Sequence, residues 1–379
     1  MRLEAERDNL LAAVAMVCGV VPTKPVKEEL GFLRLKCPGL FDAAVHGTDL
    51  EIHLEAGIRL IILEGPGEVL LPAHQLLAVL RLMPDGPVHL EIVGSECVIR
   101  SGEVEYRLET GKAETLPDMP ACKDPWKLLV SGGRFRQAFR RVSYAASTDA
   151  ARFSMNGVRL RFNLPNLQTI ATDGRRLAVS DLDLKQDEDW DNSLSNPPKV
   201  PLKNDGVTVP HKAVDVIERV GLERAVFSWD RNTMTVAWLD EDGKPAVTLS
   251  TLLIEGRYPD IDAVWPKGKT ATQFEHKADE LVQAVRRAAV CADQEARRLE
   301  MAIQPKGITL TARGVGKGQA VVQVPAQVKG DSMTVTVNPA YLMDVLRHAG
   351  ESAGVSCTGV GQPVQIGGPG YMALLMPLT

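Results

Sequence analysis

The sequence predicts an α+β fold made of three repeated domains, each with two strand–helix–strands units. The first observation is a strand that enters a helix through proline and recurs at residues 71–80, 209–217 and 337–346. The second is another helix, preceded by its own short strand, that recurs in step at residues 8–17, 133–142 and 279–288. The third is that the connecting segments, such as Val98-Ile99-Arg100, are rich in β-branched or alternating apolar residues. Repeats spaced about 130 residues apart are the size of a domain, and many antiparallel strands with separate helices indicate helices on one face of the sheets.

The helices of the repeats have recognisable starts and faces. Each of the proline-led helices begins at or just after Pro72, Pro210 or Pro339, where the first turn needs no N–H donor. In the helix after Gly133, one apolar stripe has the i, i+3, i+4, i+7 spacing of a buried helix face, and it consists of Phe135, Ala138, Phe139 and Val142. The equivalent stripe of the third repeat consists of Leu281, Val285, Ala288 and Ala289.

A hairpin is expected in the middle repeat. Residues 169–172 and 177–179 have strand character, and Asp173-Gly174 between them favours a two-residue turn with positive φ. We expect this turn to place Arg175 and Arg176 outward beside apolar strand residues, where a partner could contact charged and apolar groups together.

Composition places boundaries between the repeats. Proline-rich segments at 116–125 and 256–268 predict domains at 1–124, 125–268 and 269–379, with residues 254–268 as a linker. Residues 184–205 are acidic and rich in Asn, Ser and Pro, which is typical of a solvated loop. A metal-binding acidic loop is the alternative, although nothing in the segment fixes its ligands.

The overall composition is that of a cytoplasmic globular protein. The chain has 45% hydrophobic and 24% charged residues, no apolar run of membrane-spanning length, and an N-terminus, Met1-Arg2-Leu3-Glu4, unlike a signal peptide. Its six cysteines are scattered without metal-ligand spacing, so we expect reduced thiols. A net charge of -5 argues against nucleic-acid binding by the whole surface, but not by a single positive face.

Basic residues recur on the outer faces of equivalent helices. Away from the apolar stripes lie Arg136, Arg140, Arg141, Arg286 and Arg287, and the proline-led helices add Lys212, Arg219 and Arg347. For any one of them a solvated helix face is the ordinary explanation. Their recurrence, with few aromatic residues to stack on bases, favours sequence-independent contact with a phosphate backbone.

Four segments in order point to a family. Asn156-Gly157, residues 171–178, residues 256–260 and residues 374–378 resemble the bacterial DNA polymerase III beta subunit, the sliding clamp, and the likeness covers the whole chain. The resemblance implies a DNA-clamp fold in a head-to-tail homodimer, a six-domain ring with helices lining the bore around duplex DNA and antiparallel sheets outside. It also implies the DNA polymerase III alpha subunit, the clamp loader and other clamp-binding-motif proteins as partners, with no cofactor, metal or active site.

The resemblance extends to individual positions. It places Lys24, His74, Asp149, Phe153 and Ser154 at phosphate-contacting positions, of which only Lys24 is clearly basic. A pocket for partner peptides would consist of Met155, Thr172, Gly174, Arg175, Arg176, Leu177, Pro259, Val264, Asn338, Tyr341, Leu374, Met376, Pro377 and Leu378. The subunit contact would pair Tyr106 and Leu108 of one copy with Val290 and Cys291 of the next.

This chain departs from the family pattern in three places. Arg175 stands where a His is usual, the chain ends Leu378-Thr379 without the usual penultimate Arg, and Phe153 is the one aromatic residue left of a pair. These departures bear on partner preference and on the grip on DNA.

Two other functions remain open from the residues alone. One is a clamp-like repeat scaffold or inhibitor that binds only proteins. The other is a metal-dependent nuclease using Asp181 and Asp183 with Asp187, Glu188 and Asp189, although charged loops are much commoner than such sites. The seven histidines lack metal spacing, and the sequence has no glycine-rich phosphate loop, so an enzyme is disfavoured.

Overall fold

The computed structural model describes residues 1–39, 42–123, 126–163, 166–186, 206–293 and 297–378. By its contacts the chain divides into two compact units. The first contains Met1–Gly133 and Val220–Leu253, and the second contains 134–186, 206–219 and 254–378 of the described residues. The middle repeat thus contributes strands to both units, and the three domain boundaries expected from the sequence stay a prediction.

The described residues form six α-helices, as the repeats predict. They are α1 (Arg7–Cys18), α2 (Ala73–Leu82), α3 (Gly132–Arg140), α4 (His211–Arg219), α5 (Ala278–Ala289) and α6 (Pro339–His348). In α6 the proline occupies the first turn, and the Asn338 side chain caps the helix by accepting a hydrogen bond from the Ala340 N–H at 2.9 Å. Among these helices none is both long enough and apolar enough to cross a bilayer.

The first unit contains two antiparallel sheets. One has the order β5-β1-β7-β8-β9, from β1 (Arg2–Glu6), β5 (Ile62–Glu64), β7 (Pro87–Val93), β8 (Glu96–Ser101) and β9 (Val104–Glu109). The other has the order β10-β15-β16-β17-β4-β3-β2-β6, from β2 (Phe32–Cys37), β3 (Asp42–Thr48), β4 (Ile52–Arg59), β6 (Gly67–Pro72), β10 (Trp126–Ser131), β15 (Arg224–Trp229), β16 (Thr233–Leu239) and β17 (Pro245–Leu252). Because β17 pairs with β4, this sheet joins strands of the first and middle repeats.

The second unit is built in the same way. Its larger sheet has the order β14-β11-β12-β13-β26-β25-β24-β18-β22, from β11 (Gly157–Asn163), β12 (Asn166–Thr172), β13 (Arg176–Asp183), β14 (Val207–Pro210), β18 (Thr272–Lys277), β22 (Val328–Gly330), β24 (Ser352–Cys357), β25 (Val364–Gly368) and β26 (Tyr371–Leu375). Its smaller sheet has the order β21-β20-β19-β23, from β19 (Leu299–Gln304), β20 (Gly307–Gly314), β21 (Gly318–Val324) and β23 (Met333–Val337). Here β13 pairs with β26, so the middle and third repeats share one sheet.

The helix faces expected to be apolar are buried. Phe135, Ala138, Phe139 and Val142 are each at most 3% exposed. In α5, Leu281, Val285 and Ala288 are buried and Ala289 is half-buried. Because these residues cover one side of each helix, the polar side is left facing away from the sheets.

The backbone of β14 leaves no room for a side chain at Gly157, the first residue of β11. A Cβ at this position would lie 2.0 Å from the Val209 carbonyl oxygen, a backbone atom that cannot move aside without breaking the strand pairing. Only glycine therefore fits at the start of β11.

We expect Gly157→Ala to destabilise the protein by about 1 to 3 kcal/mol, since the added methyl group forces the two strands apart. Differential scanning calorimetry should show a melting temperature lower by roughly 2 to 4 °C per kcal/mol. Gly354→Ala is the matched control in the same sheet, because its Cβ would meet no atom closer than 3.8 Å. Equal melting temperatures for the two variants would contradict the close approach.

Candidate functional site

The hairpin between β12 and β13 is present, but its loop is wider than predicted. The pairing nearest the loop joins Thr172 to Leu177, and of the residues between them only Gly174 has a positive φ, +81°. The Asp173 carboxylate explains the wider loop, because one oxygen accepts the N–H groups of Arg175 at 2.9 Å and Arg176 at 3.0 Å. The prediction of a two-residue turn was therefore wrong.

Arg176 does not point outward with Arg175, which corrects the second expectation about this hairpin. Its side chain is 12% exposed, and its guanidinium donates to Asp173 Oδ2 at 3.1 Å, Asp344 Oδ2 at 2.7 Å and the Tyr144 carbonyl at 2.6 Å. Its guanidinium carbon also lies over the rings of Tyr144 and Tyr341, 5.2 and 4.4 Å from their centroids. These contacts join the hairpin to α6, so Arg176 fixes the shape of the site and is not available to a ligand.

Burial keeps two tyrosines near Arg176, Tyr144 and Tyr371, in the neutral form. Burial raises the pKa of Tyr144 well above its usual value, and burial likewise raises the pKa of Tyr371. The two hydroxyl groups are hydrogen-bonded to each other, and the Tyr144 ring stacks on His348 with centroids 4.6 Å apart. Neither Tyr144 nor Asp344 was assigned to the site from the sequence, because both are distant from the hairpin in the chain and Asp344 was interpreted only as part of the 337–346 repeat.

A cavity of about 290 Å³ opens beside this network. Three of the predicted pocket residues line it, namely Arg175, Arg176 and Tyr341. Other lining residues that the prediction missed include Tyr144, Asp149, Arg152, Asp173 and His211. Arg152 donates to the Asp173 carbonyl and lies 3.8 Å from Asp149 Oδ2, so its charge is partly engaged.

An apolar cluster lies on the same hairpin. Leu177 and Leu374, both predicted pocket residues, are buried against each other's strands and pack with Ile170, Val179, Tyr258 and Ile261, with Trp265 at the edge. The predicted residues around this cluster differ in exposure. Val264 and Met376 are 47% and 43% exposed, Pro259 is exposed, and Met155, Pro377 and Leu378 are half-buried. The predicted pocket residues therefore include both buried members of this cluster and exposed apolar side chains.

Backbone hydrogen bonds attach the C-terminal segment to the hairpin and to β23. The Met376 N–H donates to the Arg175 carbonyl at 2.9 Å, and the Leu378 N–H donates to the Thr336 carbonyl at 2.7 Å. The backbones of Met376 and Arg175 are thus adjacent. Asn338, which was predicted to lie near the pocket, lines a different cavity of about 460 Å³ together with Arg297 and Lys317.

The residues predicted to bind DNA fall into two groups. Lys24, Arg140, Arg219, Arg286 and Arg287 are exposed, and none of them has an ion-pair partner among the described residues. The other basic residues interact with groups of the protein. Arg141 donates to the Pro369 carbonyl at 3.1 Å, and Arg347 forms an ion pair with Asp344 at 3.1 Å. Arg136 and Lys212 also have interaction partners within the protein. Phe153 is 60% exposed on the turn Ala150–Met155, next to the half-buried Ser154, while His74 Nε2 lies 3.2 Å from the Val21 carbonyl oxygen.

The residues predicted for the subunit contact lie at exposed strand edges and helix ends. Tyr106 and Leu108 are half-buried on β9, which is the last strand of its sheet in the described part of the chain. Val290 is 75% exposed and follows α5 directly, with the half-buried Cys291 after it. An edge strand offers unpaired backbone groups to another chain.

The residues of the nuclease alternative are only partly described. Asp181 Oδ1 accepts a hydrogen bond from Gln168 at 2.7 Å, and Asp183 accepts the Lys185 N–H at 3.1 Å. Asp187, Glu188 and Asp189 lie outside the described residues, as does most of the 184–205 loop. Within the described ranges, no three His, Cys, Asp or Glu side chains are grouped to hold a metal ion.

Family models match nearly the whole chain. The N-terminal domain of the DNA polymerase III beta subunit matches residues 1–120, its central domain matches 130–260 and its C-terminal domain matches 263–371.

Individual relatives agree with the family models. The chain is 28% identical to the beta sliding clamp of Caulobacter vibrioides over 396 residues, covering 100% of both chains. It is 26% identical to that of Haemophilus influenzae over 352 residues, covering 91% of this chain and 90% of the relative. A solved structure of the DNA polymerase III subunit beta from Pseudomonas aeruginosa bound to griselimycin superposes with a TM-score of 0.89. It is 21% identical and covers 100% of this chain and 99% of its own, so this likeness supports the fold.

We expect Arg176→Ala to destabilise the second unit by about 3 kcal/mol, because Asp173 and Asp344 lose the guanidinium that pairs with them inside the protein. Calorimetry should show a lower melting temperature, and hydrogen exchange should become faster in β13 and α6. The neighbouring Arg175→Ala is the control and should change stability by less than about 0.5 kcal/mol, because that side chain is exposed. If the two variants melt alike, Arg176 does not hold the hairpin to α6.

Proposed function

This chain belongs to the family of bacterial DNA polymerase III beta subunits, and we propose that it acts as a DNA sliding clamp in the form of a ring-shaped homodimer. The family is a non-catalytic processivity factor of DNA replication. Two copies close head to tail into a ring around duplex DNA in the cytoplasm. The ring then tethers the DNA polymerase III alpha subunit, the clamp loader and other proteins that carry a clamp-binding motif.

The surface around the 172–177 hairpin is the feature of the structure that best supports a tethering function. Met376 and Val264 are exposed apolar residues close in the chain to members of the buried apolar cluster, and the backbone of Met376 bonds to Arg175, which lines the cavity. A short peptide can place apolar side chains on such a surface, and methionine adapts to different partners. The griselimycin complex of the relative from Pseudomonas aeruginosa supports ligand binding by this family, without fixing where a ligand binds here.

DNA is held by enclosure and by weak contacts. Arg140, Arg286 and Arg287 project from α3 and α5 on the sides opposite their buried stripes. Charges of this kind contact phosphates without reading sequence, and salt screens them. Contacts that are weak and independent of sequence let the ring slide, whereas tight contacts to bases would stop it.

The homodimer would form between the edge strand β9 of one copy and β21 of the next. In the described part of the chain both strands end their sheets, and β21 carries Val321, which is 55% exposed. Pairing at this edge would bring Tyr106 and Leu108 towards Val290 and Cys291 of the neighbouring copy. A head-to-tail contact closes into a ring when its rotation is a simple fraction of a turn.

The arginines can be tested through the salt dependence of DNA binding. Replacing Arg140, Arg286 and Arg287 with Ala should weaken binding to duplex DNA and reduce the slope of log K against log salt by up to about 2.7. Arg141 is left intact because it also bonds to the Pro369 carbonyl. The control replaces Arg59, Arg231 and Arg313, which are exposed on strands and turns. An unchanged slope for the helix variant would contradict the placement of DNA against these helices.

The peptide pocket can be tested with two methionines of the same segment. Met376→Ala should weaken the binding of a polymerase-derived peptide about tenfold, since a partly exposed apolar anchor is lost. Met372→Ala is the matched control, because Met372 is 42% exposed in β26 but is not in the predicted pocket. Deleting residues 376–379 should abolish peptide binding while the protein remains a dimer by solution mass. Retained affinity in both pocket variants, measured by fluorescence anisotropy, would remove this assignment.

A further inference from the structure

The proline-rich segment Leu116–Lys123, called the strap below, is bound to one face of the larger sheet of the first unit. The buried Arg34 guanidinium donates to the first carbonyl of the strap and to Asp118. The Ser250 hydroxyl donates to the Pro120 carbonyl at 2.8 Å. Arg34 lies on β2 and Ser250 lies on β17, with β3 and β4 between these two strands. The strap is therefore held at two points that lie on either side of β3 and β4.

Two buried histidines lie between these two points. His46 on β3 is directly opposite Arg34, and His53 on β4 is directly opposite Ser250. Their exposed fractions are 0% and 6%. The two rings are parallel to within 8°, and His46 Nε2 lies 3.2 Å from His53 Nδ1. The other ring nitrogen of His46, Nδ1, is buried and has no hydrogen-bond partner among the described residues.

This imidazole pair fits the closed strap only in the neutral form. The 3.2 Å contact needs one N–H and one bare nitrogen, so it is lost when both rings are protonated. Burial, followed by His53 and the cations Lys36 and Arg34, lowers the pKa of His46 to about 3. Burial also lowers the pKa of His53. In water an imidazole has a pKa of about 6.5, so the closed form binds fewer protons than an open form does below that pH, and acid favours opening.

The charged and titratable groups near the pair belong to four elements and do not reverse this effect. They are Arg34 and Lys36 on β2, Asp49 and Glu51 in the turn before β4, Glu55 on β4, and Asp118 and Cys122 on the strap. Asp118 raises the pKa of His46 and Asp49 raises that of His53, but burial has the larger effect on each ring. The hydrogen bond from Arg34 lowers the pKa of Asp118, so this carboxylate stays ionised at about pH 5 to 6. Burial raises the pKa of Cys122, so its thiol stays neutral there.

We propose that the strap is an acid-sensitive latch, which is released from the sheet when His46 and His53 are protonated and closes again at neutral pH. Opening gives both imidazolium groups access to water and removes them from the positive charge of Arg34. The segment between the first and middle repeats thus has an attachment that depends on pH. This property is independent of the peptide pocket and of DNA binding.

Cys122 reports the opening, because its half-buried Sγ lies 3.4 Å from the Thr235 hydroxyl oxygen on β16. The full-length protein is labelled with dipyridyl disulfide at several pH values, and mass spectrometry of the Cys122 peptide gives the rate. Each rate is divided by that of His46→Phe/His53→Phe at the same pH, so the pH dependence of the thiol reaction cancels. Between about pH 7.5 and about pH 5.5 the ratio should rise about tenfold for one histidine and up to about a hundredfold for both.

Three further variants complete the experiment. His89→Gln is the matched control and should keep the full rise, because His89 is 55% exposed on the other sheet of the first unit. Ser250→Ala removes the bond to the strap and should speed labelling about fivefold at every pH without changing the rise. If the double phenylalanine variant does not melt cooperatively, His46→Gln/His53→Gln replaces it as the reference that cannot be protonated.

Two results would overturn the latch. One is a Cys122 ratio that does not change between the two pH values in either reference variant. The other is an equal rise at the half-buried Cys291, which belongs to the second unit, because acid would then loosen the whole protein and not the strap.

Discussion

The pairing of β13 with β26 is the constraint on which the site depends. Antiparallel hydrogen bonds bring Arg176 opposite Leu375 and Leu177 opposite Leu374, although these residues are almost 200 positions apart. This pairing extends one sheet from the middle repeat into the third and lays the C-terminal segment against the hairpin. Arg176 then fixes α6 to the same hairpin through Asp344 and the Tyr341 ring, and it contacts Tyr144 of the turn Ser143–Ala145 as well. A site on a rigid sheet loses little entropy when a peptide binds.

Charge is used in two different ways in this protein. Arg176 is enclosed by carboxylates, a carbonyl and aromatic rings, so its charge serves structure. Arg286 and Arg287 stay exposed without partners among the described residues, so their charge stays available over longer distances and varies with salt. A chain with a net charge of -5 can therefore still present positive charge where a polyanion passes.

The sequence predicted what depends on local periodicity, and missed what depends on contacts between distant residues. The six helices, the buried Phe135 stripe and the existence of the 172–177 hairpin follow from spacing and turn chemistry. The width of the hairpin loop could not be predicted, because the Asp173 carboxylate changes the turn by bonding to two backbone N–H groups. The inward position of Arg176 was missed because its partners, Tyr144, Tyr341 and Asp344, come from other elements. The peptide pocket residues came from family resemblance, and their roles remain predictions.

A clamp that encloses DNA stays on a closed circle but not on a linear molecule with free ends, so comparing retention on the two kinds of DNA distinguishes enclosure from adhesion. The protein is loaded onto nicked circular DNA with a clamp loader, separated from free protein, and then exposed to a nuclease that linearises the circle. We expect a dimer by solution mass that stays on the circle at moderate salt and dissociates once the DNA is cut. Equal retention on the circular and the linear DNA, or no retention on either by a correctly folded dimer, would contradict it.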